Sequence, residues 1–113
     1  MTGETDLSKL IRNMCPERNT GQYVFCCVDS IEHAPARDLL GFFRENEGVT
    51  VILPKSTADD LGLPYSTVFA WITLSVHSSL EALGLTSAVS HTLKVSGIAC
   101  NVVAALYHEH LFV

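Results

Sequence analysis

The sequence predicts an α+β fold with two βαβ-type halves, a largely antiparallel sheet and helices packed on one face. Three observations point there. The chain is 113 residues long, with 48% apolar and 17% charged residues, which is the size and composition of one globular body. Its apolar residues alternate between short β-prone runs and stripes at helical spacing. A weak internal repeat also appears: strand 23–28, helix 36–46, Gly48 and strand 49–53, then strand 68–76, helix 85–96, Gly97 and strand 98–107. A helix between two strands makes a right-handed crossover and a parallel pair unless an intervening strand makes the sheet mixed or antiparallel.

The elements follow in order. Leu7, Leu10, Ile11 and Met14 fall at i, i+3, i+4 and i+7, one stripe of a short helix capped by Asp6 and stopped by Pro16. Residues 17–21 read as a loop. Tyr23–Val28 is β-prone and apolar on both faces, with Cys26 and Cys27 as small core residues. Pro35 suits a first helical turn, and Ala36, Leu39, Leu40 and Phe43 supply a second stripe that ends at residues 45–48. Val49–Leu53 is a strand closed by Pro54. Ser56 can cap a short helix that Gly62 stops. Val68–Val76 is a third strand holding Trp71, and residues 77–84 form a loop. Leu85, Ala88, Val89, Thr92 and Leu93 mark another helix, with Gly97 as its cap. Ile98–Tyr107 and Leu111–Val113 read as a hairpin around His108 and His110, with the chain ending midway through the return strand.

Charge excludes one class of function. Seven basic residues against twelve acidic ones give net charge −5, and no basic stripe appears, so a nucleic-acid surface is not expected. The four cysteines (15, 26, 27 and 100) show no metal or disulfide-framework spacing, and the first six residues are polar rather than signal-like. A cytoplasmic protein with reduced thiols and no membrane span is expected. No nucleophile elbow, phosphate loop, HExxH or dinucleotide fingerprint is present, so no catalytic residue is assigned and no cofactor is expected.

Four groups of residues carry binding chemistry. The amides at the start of helix 85–96 can receive a carboxylate, Gly84 permits close backbone approach, and Thr86, Ser75 and Ser78 offer hydroxyls. Equally, Gly84 can simply turn the chain and Thr86 cap the helix. Asn101 lies in an apolar strand, where a buried amide must find partners, a ligand or a neighbouring loop. Glu45, Glu47, Gly48 and Thr50 combine an acidic pair with a glycine cap and can receive an amine, or form a solvated helix end. His108 and His110, two apart, would share one face of a strand, a weak metal candidate that His77, His91, Cys26 and Cys100 do not complete by spacing.

The stretch Phe69–Val76, then Leu83-Gly84-Leu85-Thr86, Leu93–Ile98 and Asn101–Val103, resembles an ACT domain. Gly21–Phe25, Glu45–Val51 and Tyr107–Val113 resemble a family of small bacterial proteins in which an ACT-like half precedes an ACT half. The likeness covers roughly residues 8–113. It implies a ferredoxin-like arrangement with an N-terminal helix and loop (1–21), an ACT-like half (22–66) and a second half (67–113) that lacks a last helix and strand. It further implies regulation by an amino acid or other small metabolite, held between halves or subunits of a homodimer or higher homo-oligomer. Leu83, Gly84, Leu85 and Thr86 would then form the ligand loop, and the strand of Asn101 would meet ligand across the interface. A ligand-free interaction module with the same shape is the alternative, and a metal or redox protein built on His108 and His110 is the third reading.

Overall fold

The computed structural model describes residues 16–74, 91 and 93–113. The helix expected over residues 7–14 and the loop 77–84 lie outside them. The chain divides into two compact units, one of residues 20–69 and one combining the N-terminal residues through Asn19 with residues 70–113. Both are built on antiparallel sheets with few helices, an α+β architecture. Among the described residues no helix is long and apolar enough to cross a membrane.

In the unit of residues 20–69 the strands run β2 (Tyr23–Val28), β3 (Gly41–Glu45) and β4 (Gly48–Pro54), in spatial order β2-β4-β3. Register places Val24 opposite Leu53, Cys26 opposite Val51 and Val28 opposite Val49, so these six share one face. That face is the core: Val24, Val51 and Leu53 have no exposed surface, and Ala34 and Ala58 close over it. Each such side chain contributes about 1.5–3 kcal/mol on burial. Ala58 comes from α1 (Lys55–Leu61). This helix starts at Pro54 without a side-chain cap, so Ser56 does not serve as one, and it stops at Gly62 in the left-handed conformation, φ 68°. Ile31–His33 forms a single 3-10 turn capped by Ser30.

The helix expected over 36–46 is absent. The amides of Asp38 and Leu39 bond back to Pro35 and Ala36, one turn only, and the amide of Leu40 then bonds to the carbonyl of Ile52. From Gly41 the chain is extended and paired with β4. Four apolar residues at helical spacing were outweighed by a ready partner strand and by Phe42 and Phe43, which favour strands. The pairing β2-β4 is therefore antiparallel, with β3 joined to β4 by a two-residue turn at Asn46-Glu47. Cys26 is buried as expected, but Cys27 points to the other face and is exposed.

The second unit orders its strands β1-β5-β7-β6: β1 (Glu17–Arg18), β5 (Trp71–Leu74), β6 (Asn101–Ala104) and β7 (Glu109–Phe112). Glu17 and Arg18, expected in a loop, pair with Thr73 and Ile72. The hairpin exists but turns earlier than its residues indicated. The amide of Ala105 bonds to the carbonyl of His108, which leaves His110 inside β7. Strand 98–107 thus shortens to four residues. Residues 91 and 93–95 are helical and end at Gly97, where the amides of Gly97 and Ile98 bond to Lys94 and Leu93. Leu74 and Leu111 are buried, with Ile72, Leu93, Cys100, Val102 and Val113 packed against them.

Candidate functional site

The β3-β4 hairpin gathers the acidic candidates. Glu45 pairs with Gly48 across the two-residue turn. Gly48 has φ 149°, and a Cβ there would sit 2.7 Å from Cys27 Sγ and 3.1 Å from the Val28 carbonyl oxygen. Only glycine lets β4 begin this close to β2. The acids therefore flank a hairpin turn, not a helix end, and they face no opposing helix dipole. The Thr50 hydroxyl donates to the Glu45 carboxylate and fixes its direction. Arg44 lies over the Phe42 ring at 5.2 Å, which holds its stem along the strand.

These groups border a recess of about 520 Å³. Asp29 and Ser30 form one wall, and Arg44, Glu45, Glu47 and Gly48 form the other. Its lining residues include three acids and one arginine, a net negative set. Glu45, Glu47 and Gly48 all reach the recess. Thr50 stands behind it through its bond to Glu45. Asp29 and Arg44 were missed in the sequence because neither forms a motif; the pairing of β2 and β3 with β4 brings Asp29 beside the hairpin turn, and the sequence read residues 36–46 as helix.

A second recess of about 370 Å³ lies between the Thr20–Tyr23 segment and the start of α1, with Lys55 and Asp59 on its wall. Lys55 Nζ donates to Asp59 Oδ2 at 2.9 Å, and the Tyr65 hydroxyl donates to Asp59 Oδ1 at 2.6 Å. The Tyr65 hydrogen bond, followed by that of Lys55, holds the Asp59 carboxyl below its ordinary range. The same bonds to Asp59 push Lys55 and Tyr65 upward. The three groups satisfy one another and form a clamp on α1. The i,i+4 spacing of Lys55 and Asp59 was the available signal.

In the other unit Asn101 is exposed on β6 opposite Phe112, so its amide is not the buried group that the apolar strand implied. The rings of His108 and His110 stand 6.5 Å apart, and His110 Nδ1 accepts the indole N–H of Trp71 at 3.0 Å. Among the described residues no three His, Cys, Asp or Glu side chains converge on a metal position. Cys26 and Cys27 are free thiols. Ser75, Ser78, Leu83, Gly84, Leu85 and Thr86 lie outside the described residues.

No curated protein matches the chain significantly. A solved structure from Vibrio cholerae, a protein of unknown function described as a possible transport protein, is 43% identical over 99% of this chain and 86% of its own, with TM-score 0.79. The ACT domain profile matches residues 2–70, more than half of the chain. The match includes the whole unit that carries the hairpin recess. By that match the chain belongs to the ACT domain family.

Proposed function

We propose that this protein is a regulatory small-molecule-binding module whose ligand is an amino acid, received in the recess at the β3-β4 hairpin. One observation carries the reading: Arg44 and the acidic residues Asp29, Glu45 and Glu47 all line a single recess. An amino acid presents a carboxylate to the guanidinium and an ammonium to the acids, and both pairs are charge-assisted. The open, solvated recess suits a ligand that must enter and leave as its concentration changes. Family membership supports regulation over catalysis, since ACT domains commonly bind small ligands and oligomerise. We extend the proposal to a homo-oligomer, with Asn101 and the segment around Gly84 as a second set of ligand contacts.

The test is thermal unfolding of the full chain against a panel of free amino acids. A ligand at one hundred times its Kd adds about 2.7 kcal/mol of stability. We expect one or two amino acids to raise the melting temperature and the Glu45→Gln, Glu47→Gln double variant to lose that response. Arg44→Gln should lose the response to the free amino acid but keep part of that to its amide, which lacks the carboxylate. A folded protein indifferent to every amino acid overturns the reading and leaves an interaction module of the same fold.

A further inference from the structure

Trp71, Thr73, His110 and Phe112 share one face of the sheet, because Trp71 pairs with Phe112 and Thr73 with His110 across β5 and β7. The indole of Trp71 stacks on Phe112 at 6.4 Å with 13° between the planes. Its N–H can only donate, and it donates to His110 Nδ1 at 3.0 Å. That nitrogen must present a lone pair, so the neutral imidazole carries its proton on Nε2. Thr73 Oγ1 lies 3.4 Å from the same nitrogen and accepts Asn19 Nδ2–H at 2.9 Å. Asn19 also donates its backbone N–H to the Trp71 carbonyl at 2.9 Å, which ties the end of β1 into the cluster.

We propose that His110 is a proton-operated switch in this sheet, exchanging its bond to Trp71 for one to Thr73. One proton passes from hydronium to Nδ1: the N–H bond forms as the hydronium O–H bond breaks and releases water, and no other covalent bond changes. The new N–H faces the indole N–H, two donors that cannot pair, so the Trp71 bond breaks. Thr73 Oγ1 has a second lone pair beside the Asn19 bond and can accept the new N–H. The indole then loses this acceptor while its stacking on Phe112 persists.

The surroundings set where the switch works. Burial disfavours the imidazolium most, the charge of His108 adds to that, and Glu109 opposes it; together they hold His110 below the ordinary histidine value. Glu17 of β1, paired with Thr73, adds a carboxylate to this face, while Val103 of β6, paired with His110, adds no charge. The fold therefore binds the proton more weakly than the unfolded chain does. Its stabilising contribution is complete above a pH of about 6.5 and is lost as pH falls through the depressed value.

Trp71 is the only tryptophan of the chain, so a single indole N–H resonance reports the bond. In the full-length 15N-labelled protein, titrated from about pH 8 to pH 5, we expect that resonance to move upfield in a one-proton transition, accompanied by a change in Trp emission. His110→Gln keeps an acceptor oxygen without a titrating group and should hold the resonance fixed. His108→Gln should keep the transition and raise its midpoint. The imidazole nitrogens of the wild-type protein give a check that needs no variant: above the transition Nδ1 must be unprotonated. A resonance flat with pH, a transition that persists in His110→Gln, or a proton on Nδ1 of the neutral ring would each overturn the proposal.

Discussion

The two units solve the same problem with different means. In residues 20–69 the face shared by β2 and β4 is dry at its centre: Val24, Val51 and Leu53 on it, and Ala58 over it, have no exposed surface, and the polar chemistry is displaced to the hairpin turn and the helix end. In residues 16–19 and 70–113 the buried apolar residues among those described are Leu74, Leu111 and Phe112, and polar side chains bond to one another across the sheet itself. Where burial suffices to hold a sheet, polar residues are released to its rim, where a solute can meet them. Where described burial is thinner, Trp71, Thr73, His110 and Asn19 link the strands directly. Hydrogen bonds of this kind are directional and titratable, so that unit inherits a dependence on pH.

The difference is testable first through the cores. Leu53→Ala should cost about 2–5 kcal/mol, since a fully buried leucine leaves a cavity its neighbours fill only in part. Leu111→Ala, with a smaller described cluster around it, should cost less in chemical denaturation. An equal or larger loss at Leu111 would break the contrast. Gly48→Ala comes next, at about 1–3 kcal/mol for an L side chain held at φ 149°. Adding Cys27→Ala relieves the contact at 2.7 Å but not the approach to the Val28 carbonyl, so recovery should be partial. Full recovery would show that the thiol alone set the cost. The adjacent cysteines sharpen the same point by chemistry. Burial, then the charge of Asp59, pushes the Cys26 thiol upward, so it should resist alkylation in the native state while the exposed Cys27 reacts.

What the sequence made legible follows the same division. Tyr23–Val28 was placed to the residue, because six consecutive β-prone residues leave no competing period. Gly62 was read as a helix stop, and it is one. The helix over 36–46 was wrong because four apolar residues at helical spacing cannot reveal that β4 lies ready to pair with them. That single misreading hid Arg44 from the candidate site, although Glu45, Glu47 and Gly48 were singled out. Glu17 and Arg18 were equally illegible as sheet residues, and Asn19 as their neighbour bonded to β5: their partners lie more than fifty residues away, and two-residue strands have no period. Trp71 and His110 meet for the same reason, by register across β5 and β7, which spacing along the chain does not encode.

The smallest effect should come from the clamp on α1, and its sign with pH is specific. Tyr65→Phe removes the 2.6 Å hydrogen bond to Asp59 while keeping the ring that packs on the core. All three groups are solvent-exposed, so screening keeps their interaction weak. Lysine also precedes aspartate along the helix, the less favourable order for an i,i+4 pair. Asp59 is held below its ordinary value, so its contribution is present above the unfolded carboxylate range and is lost as pH falls through the depressed one. Tyr65 is pushed the other way, so its own contribution is present at neutral pH and is lost as pH rises past its raised value. The stability difference between wild type and Tyr65→Phe should therefore be a plateau around neutral pH that shrinks at both extremes, while the Asp59 carboxyl resonance in the variant titrates at higher pH than in wild type. No difference at any pH would show that Tyr65 acts through its ring alone, and the rim of this unit would then owe its order to packing, as its core does.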